Sequence, residues 1–284
     1  MTMTNPDPHT FLRPYVRATY YTETAAGQLQ TQFASLAGLR AWAALRGLAL
    51  RDAMCDLLEQ HIWPERFRRN FGLVAAQDLA RRLQSRVLVL GCGGLGGHVA
   101  ELLARAGIGS IRLVDNDIFE ESNLNRQRFC TERVLGQPKV AVVRDALADI
   151  ASHVETEALE LVADGDNLSS LVSGMDVALD CLDNISAKTA LERAALAAGV
   201  PFVHGSVLRD EGFCYANAGL QARLEELYPQ GQSNSELEHA RREGVGALAP
   251  ASVACLILRV TSRSAWEGRW LPPGWLWARM MLAA

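Results

Sequence analysis

A short apolar strand that runs straight into a glycine cluster constrains this chain more than any other feature. Arg86-Val87-Leu88-Val89-Leu90 has the β-branched, apolar character of a strand buried on both faces, and it ends in Gly91-Cys92-Gly93-Gly94-Leu95-Gly96-Gly97. In the spacing Gly91-x-Gly93-x-x-Gly96, the first glycine permits a tight turn and the second lets the main chain approach a phosphate. The third lets the next helix pack closely on the strand. His98 to Gly107 reads as that helix, with Val99, Leu102, Leu103 and Ala106 on one apolar stripe, so its N-terminal N–H groups and dipole face the turn. A second strand, Ile111-Arg112-Leu113-Val114, leads to Asp115, 24 residues after Gly91 (115 − 91). That is near the spacing at which an acidic side chain accepts hydrogen bonds from a ribose.

A glycine turn with a distal aspartate most often binds NAD or FAD, so a dehydrogenase must be weighed. The segment after Asp115 argues against it. Asn116 to Gln137 is polar and irregular, with Arg126 and Arg128 two residues apart, and Gly136-Gln137-Pro138-Lys139 then places a proline where a helix can begin. Two guanidinium groups and an ammonium within fourteen residues (126 to 139) make a cationic pocket suited to a triphosphate and its leaving pyrophosphate. A solvated basic loop is the plainer alternative. Further on, Asp176-Val177-Ala178-Leu179-Asp180-Cys181-Leu182 is an apolar run ending in an acidic loop, with a helix expected next over Ser186 to Ala198. Asp183 stands at that strand's C-terminal end, in the crevice where doubly wound sheets bind ligands. Magnesium needs only one or two carboxylates beside phosphate oxygens and water. A simple N-cap is the alternative role for Asp183.

Four segments, GCGGLGG, VDNDIFEESNLNRQ, GQPKV and LDCLDN, occur in the order found in the ThiF/MoeB/HesA family, the bacterial relatives of the ubiquitin-activating enzymes. The chain resembles that family from about Glu65 to Arg209. The resemblance implies an α/β fold, a Rossmann-like, doubly wound, mainly parallel sheet with helices on both faces, usually in a homodimer. It also implies ATP- and Mg2+-dependent adenylation of the C-terminal Gly-Gly carboxylate of a ubiquitin-like sulfur-carrier protein of the MoaD/ThiS type, for molybdopterin, thiamine or related sulfur transfer. Carried over by position, Gly91, Gly93, Gly94 and Gly96 form the turn around ATP and Asp115 resembles the ribose ligand. Asn123, Arg126 and Lys139 resemble the groups around the phosphates, and Asp183 matches the carboxylate that holds magnesium. Glu65-Arg66-Phe67-Arg68-Arg69-Asn70 is similar to a family segment whose last arginine, here Arg69, reaches the partner subunit's ATP; the family's next residue, a glutamine, is Asn70 here. Two other readings stay open, an adenylating enzyme of a peptide-modification pathway and a non-catalytic partner-binding subunit.

At 284 residues and 49% hydrophobic, the chain can bury one large α/β core plus an appendage. Its apolar stretches are too short to span a bilayer, and Met1 to Pro8 lacks the basic cap and apolar core of a signal peptide, so a cytoplasmic enzyme with no membrane partner is expected. A net charge of −4 argues against nucleic acid as a partner. The six cysteines contain no Cys-x-x-Cys, so no structural zinc is expected, although many members of the family carry two such pairs. Cys92, Cys181, Cys214 and Cys255 read as small packing residues. The expected crossover loop, about residues 217–246, also lacks cysteine, so the chemistry is expected to stop at the adenylate. Phe33 to His61 reads as a helical hairpin inside an N-terminal helical extension over residues 1–62, with residues 63–284 forming the ATP-binding domain. An apolar helix is expected from Ala251 to about Trp266, and an aromatic segment runs from Trp270 to Trp277.

Overall fold

The computed structural model describes residues 6–25, 27–209, 211–219, 221–228 and 244–262, with the backbone of 278–281. The centre of the expected crossover loop and the Trp270 to Trp277 segment lie outside the described residues. The chain divides into two compact units, Met1–Gln84 and Ser85–Ala284.

In the first unit, α1 (Pro8–Leu12) begins on Asp7, whose carboxylate accepts from the Thr10 N–H. β1 (Val16–Thr24) and β2 (Gly27–Ala34) form an antiparallel hairpin. α2 (Leu36–Arg46), capped by Ser35 and ended by a left-handed Gly47, and α3 (Leu50–Leu58) are the expected helical hairpin. β3 (Ile62–Pro64) then adds to β2 in parallel, ahead of a 3₁₀ turn (Glu65–Asn70) and α4 (Ala76–Gln84). The extension is therefore not helical throughout. Its boundary also falls at Gln84 and Ser85 rather than at 62 and 63, because Ile62, Trp63, Phe67, Leu79 and Leu83 share one core with Phe33, Trp42, Met54 and Leu57. Inside that core the Trp42 indole N–H donates to Asp56 at 2.7 Å.

The second unit continues with β4 (Arg86–Leu90), α5 (Gly94–Ala106), β5 (Ser110–Val114), α6 (Lys139–Ile150), β6 (Glu155–Leu159) and α7 (Leu168–Val172). Next come β7 (Val177–Asp180), α8 (Ile185–Ala197), β8 (Phe202–Leu208), β9 (Glu211–Asn217), α9 (Leu248–Thr261) and β10 (Ala278–Met281). One sheet takes the order β10-β9-β8-β7-β4-β5-β6, parallel from β8 to β6 and antiparallel at β9 and β10. Alternation in β4 explains why its residues are nearly all apolar. Val87 and Val89 pack with α5, α6 and α9 on one face, while Leu88 and Leu90 pack with α7 and α8 on the other. This is the Rossmann-like, doubly wound α/β arrangement expected from the sequence.

The chain leaves β4 toward β5 and β6, then returns to lay β7 on the opposite side of β4. A reversal of this kind opens a crevice at the carboxyl ends of the strands, where such sheets take ligands. The glycine turn after β4 and Asp183 after β7 both lie at that end.

Candidate active site

The glycine turn is shaped by close backbone contact. Gly91 has a left-handed φ of +92°, and a Cβ there would lie 2.7 Å from the Cys181 carbonyl oxygen and 3.2 Å from the Leu182 nitrogen. At Gly96 a Cβ would have no room before the Gly91 carbonyl oxygen, so helix and turn approach each other only because both are glycine. α5 begins at Gly94, four residues before the expected start at His98, because this glycine run itself makes the first helical turn. No side chain among the described residues caps that helix, so its first N–H groups have no side-chain acceptor there.

Asp115 is half-buried at the end of β5 and ties the turn to the loop beyond it. Its carboxylate accepts from the Cys92 N–H at 2.6 Å and from the Asp117 N–H at 2.9 Å. Burial pushes the Asp115 carboxyl above its ordinary value, and those two N–H groups oppose the rise. A carboxylate has about four acceptor sites, so two hydrogen bonds leave capacity for ribose hydroxyls. Lys139, at the first position of α6, is buried with its ammonium 2.9 Å from the Asp117 carboxylate. Asp117 is the residue between Asp115 and Lys139 that sequence reasoning passed over, although an acid two places after Asp115 was there to be read.

The loop between β5 and α6 sorts its polar residues into distinct tasks. Asn123 is buried and its side-chain oxygen accepts from the Glu120 N–H at 3.1 Å, so this amide shapes the loop. Arg126 donates to the Ser122 carbonyl at 2.9 Å and to Asn125 at 3.0 Å, and its Cγ would meet a Cβ at Gly94 at 3.6 Å. Arg128 departs from the expected three-cation pocket. Its guanidinium pairs with Glu101 on α5, an acid that also holds Arg105, so its charge is spent along the helix. Gln127, which sequence reasoning did not single out, is buried with its side-chain amide about Gly93, and its Oε1 has no hydrogen-bond partner among the described residues.

Asp183 is exposed just beyond β7. It is not the cap of α8: Asn184 is, accepting from Ser186 N–H at 2.9 Å and Ala187 N–H at 3.3 Å. The turn carrying Asp183 abuts Gly91 through Cys181, whose N–H donates to the Leu90 carbonyl at 2.9 Å. The structure thus brings Gly91, Gly93, Gly94, Gly96, Asp115, Arg126, Lys139 and Asp183 to one end of one sheet. Arg69 belongs to the other unit, exposed on the turn Glu65–Asn70.

Cys92 and Cys214 are buried, and burial raises both thiols, Cys214 to about 12. Cys255 departs from the packing role expected of it, being exposed on α9. Among the described residues no group of three or more His, Cys, Asp or Glu is placed to hold a metal ion, and no helix is long and apolar enough to cross a membrane.

The molybdopterin-synthase adenylyltransferase of Salmonella typhimurium is 41% identical over 128 residues, covering 45% of this chain and 51% of that protein. The SAMP-activating enzyme E1 of Haloferax volcanii is 30% identical over 183 residues, 64% of this chain and 68% of that protein. The chain spans about half the length of the molybdopterin-synthase adenylyltransferases it matches. Among solved structures, the E. coli tRNA N6-threonylcarbamoyladenosine dehydratase superposes with a TM-score of 0.61 at 21% identity, over 72% of this chain and 96% of that one. E. coli MccB with ATP gives 0.58 at 23% identity, over 73% and 65%. At such identities the superpositions speak for the fold alone. The profile of the ThiF family matches residues 67–264, well over half of the chain, and the chain therefore belongs to the ThiF family.

Proposed function

We propose that this chain is an ATP- and Mg2+-dependent adenylyltransferase of the ubiquitin-like activating type. Its substrate in this reading is the C-terminal carboxylate of a small sulfur-carrier protein ending in Gly-Gly, in a cytoplasmic pathway of molybdopterin or thiamine type. The observation that carries the reading is the glycine-built N-terminus of α5, uncapped by any side chain among the described residues and flanked by the Asp115, Asp117 and Lys139 chain. Kinship with proteins named molybdopterin-synthase adenylyltransferase and SAMP-activating enzyme E1 supports the same direction.

The residues fit a nucleoside triphosphate. Gly91 and Gly96 leave no room for side chains, so main-chain N–H groups line the turn, and such a helix end attracts phosphate. Asp115 offers acceptors to a ribose, and Arg126 and Lys139 supply positive charge for the phosphates. Asp183, exposed beside the turn, fits a single-carboxylate magnesium site, where the ion would supply charge neutralisation on phosphate oxygens. In the reaction a carboxylate oxygen attacks the α-phosphorus, and the bond to the oxygen bridging toward the β-phosphate breaks. Acyl-adenylate and pyrophosphate result. Two anions must meet, so positioning and cationic stabilisation supply the rate and no protein nucleophile is required. Arg69 would complete the site of a second copy in a homodimer.

Exchange of labelled pyrophosphate into ATP tests the reading. Exchange is expected only with a carrier whose terminal glycines are intact. Arg126→Ala and Asp183→Ala are each expected to lower it by about 100-fold or more while circular dichroism stays unchanged. Full exchange by either variant would remove the role given to that residue. Exchange driven by a short peptide instead would move the substrate to a peptide-modification pathway, and nucleotide binding without exchange would make the chain a partner-binding subunit.

A further inference from the structure

Behind the turn that carries Asp183 lies a buried polar chain that the proposed chemistry does not use. Asp180 and His204 are fully buried, and Lys188 nearly so. His204 Nδ1 sits 2.6 Å from Asp180 Oδ2, and Lys188 Nζ is 4.0 Å from the same oxygen. The Tyr228 hydroxyl is 2.9 Å from His204 Nε2. Burial first, and then the Lys188 charge, hold His204 below the usual imidazole range, so the ring is neutral and has one donor and one acceptor. With Nδ1–H donating to the Asp180 carboxylate, Nε2 is left to accept the Tyr228 O–H.

The far oxygen of Asp180 does something different. Oδ1 accepts from the Leu182 N–H at 2.9 Å, folding the backbone of Cys181 and Leu182 back onto the end of β7. That backbone presses on Gly91, and the next residue is Asp183. A carboxylate free to rotate about its last bond would not hold that turn. The His204 hydrogen bond at Oδ2, with the Lys188 charge 4.0 Å away, opposes that rotation. Buried ionic groups can often be replaced by apolar ones without loss of stability, and the best-attested use of those retained is to fix one conformation.

We propose that Lys188, His204 and Tyr228 are positioning residues for Asp183: by fixing the Asp180 carboxylate they fix the turn 181–183, and with it the direction of the metal-holding side chain. This rests on the reading of Asp183 as the magnesium ligand. The test uses the full chain and a fluorescent N-methylanthraniloyl ATP, with binding measured with and without Mg2+ across a magnesium titration. His204→Leu is expected to raise the half-saturating magnesium concentration by about 10-fold or more, the usual effect of losing a group that orients a metal ligand. Binding of the metal-free nucleotide should stay at the wild-type level. His204→Asn, which keeps a donor toward Asp180, should recover most of the loss. Tyr228→Phe and Lys188→Met should raise the half-saturating concentration by less, and they carry the test if His204→Leu does not fold. Wild-type magnesium dependence in the folded variants would overturn the proposal. So would an equal loss of metal-free binding, which marks a merely structural role. Asp183→Ala separates the two ideas. If it leaves the magnesium dependence intact, the ligand assignment fails and this inference with it. If it abolishes the dependence while His204→Leu does not alter it, only this inference fails.

Discussion

Gly91→Ala tests the packing logic of the nucleotide turn with a cost that can be worked from the structure. The substitution meets two penalties. The first is conformational: φ is +92°, and a left-handed backbone costs an L-residue about 1–2 kcal/mol. The second is steric, because the new Cβ would stand 2.7 Å from the Cys181 carbonyl oxygen, where ordinary contact begins at 3.4 Å. Either the turn or the Cys181 backbone must move by about 0.7 Å (3.4 − 2.7). That oxygen belongs to backbone already hydrogen-bonded to Leu90 and, through Leu182, to Asp180, so relief comes only by disturbing those bonds. Overpacking of this kind costs about 1–3 kcal/mol. Together the two give about 3 kcal/mol, or a fall in melting temperature of roughly 6–12 °C for a unit of this size. Gly136→Ala is the control, with a φ of +80° and nothing within 4 Å of a new Cβ, so it carries the conformational penalty alone. Denaturant or thermal unfolding of both variants, monitored by circular dichroism, reads the difference. Equal stability loss in the two variants would refute the steric argument.

Three more outcomes are expected from particular contacts. Arg128→Ala should leave nucleotide affinity unchanged and cost at most about 1 kcal/mol, because its guanidinium serves Glu101, whereas Arg126→Ala should weaken binding of the triphosphate; equilibrium dialysis with ATP distinguishes them. His204 should give acid sensitivity. It is faced by Asp180 from β7, Lys188 and Glu192 from α8, and Tyr228, and its folded pKa lies below the unfolded value of about 6.5, so the unfolded chain binds more protons below that pH. Stability therefore falls as pH drops from about 6.5 toward the folded pKa, by up to about 1.4 kcal/mol per unit, and His204→Asn should remove that contribution; identical pH profiles of wild type and variant would contradict the assignment. Glu192→Gln should destabilise the segment Asn217 to Leu224, since this buried carboxylate accepts from Tyr215, Asn217, and the Arg223 and Leu224 N–H groups, and hydrogen exchange should rise there first.

The strands and helices around the crevice are legible in the sequence because their signals are local. Alternate faces of β4 demand apolar residues throughout, Pro138 marks the start of α6, and the glycine spacing dictates the β4 to α5 turn. The first unit is less legible for a physical reason. β1 exposes most of its residues, so its Thr and Tyr content has no clean alternation to announce a strand, and the amphipathic helices after it dominate the pattern. The domain boundary depends on which core Phe67 and Leu79 join, which is a long-range fact. In the site, residue types are readable and partners are not. Charge and spacing alone do not separate Arg126 from Arg128, and only the family resemblance selects Arg126; in the fold Glu101, 27 residues before Arg128, pairs with Arg128. Asp183 and Asn184 are equally good caps by composition, and only backbone geometry selects Asn184. The Asp180, His204 and Tyr228 chain joins residues 24 apart at each step, beyond the reach of any local pattern.

The proposed reaction is transfer of an adenylyl group to a terminal carboxylate at the Gly91 turn. Its most direct test is mass spectrometry of a Gly-Gly carrier after incubation with the full chain, ATP and Mg2+, scored together with released pyrophosphate. The expected result is a carrier heavier by one adenylyl group, one pyrophosphate per adduct, and neither product with Asp183→Ala. Carriers that emerge unmodified from mixtures in which the chain demonstrably binds ATP would contradict it.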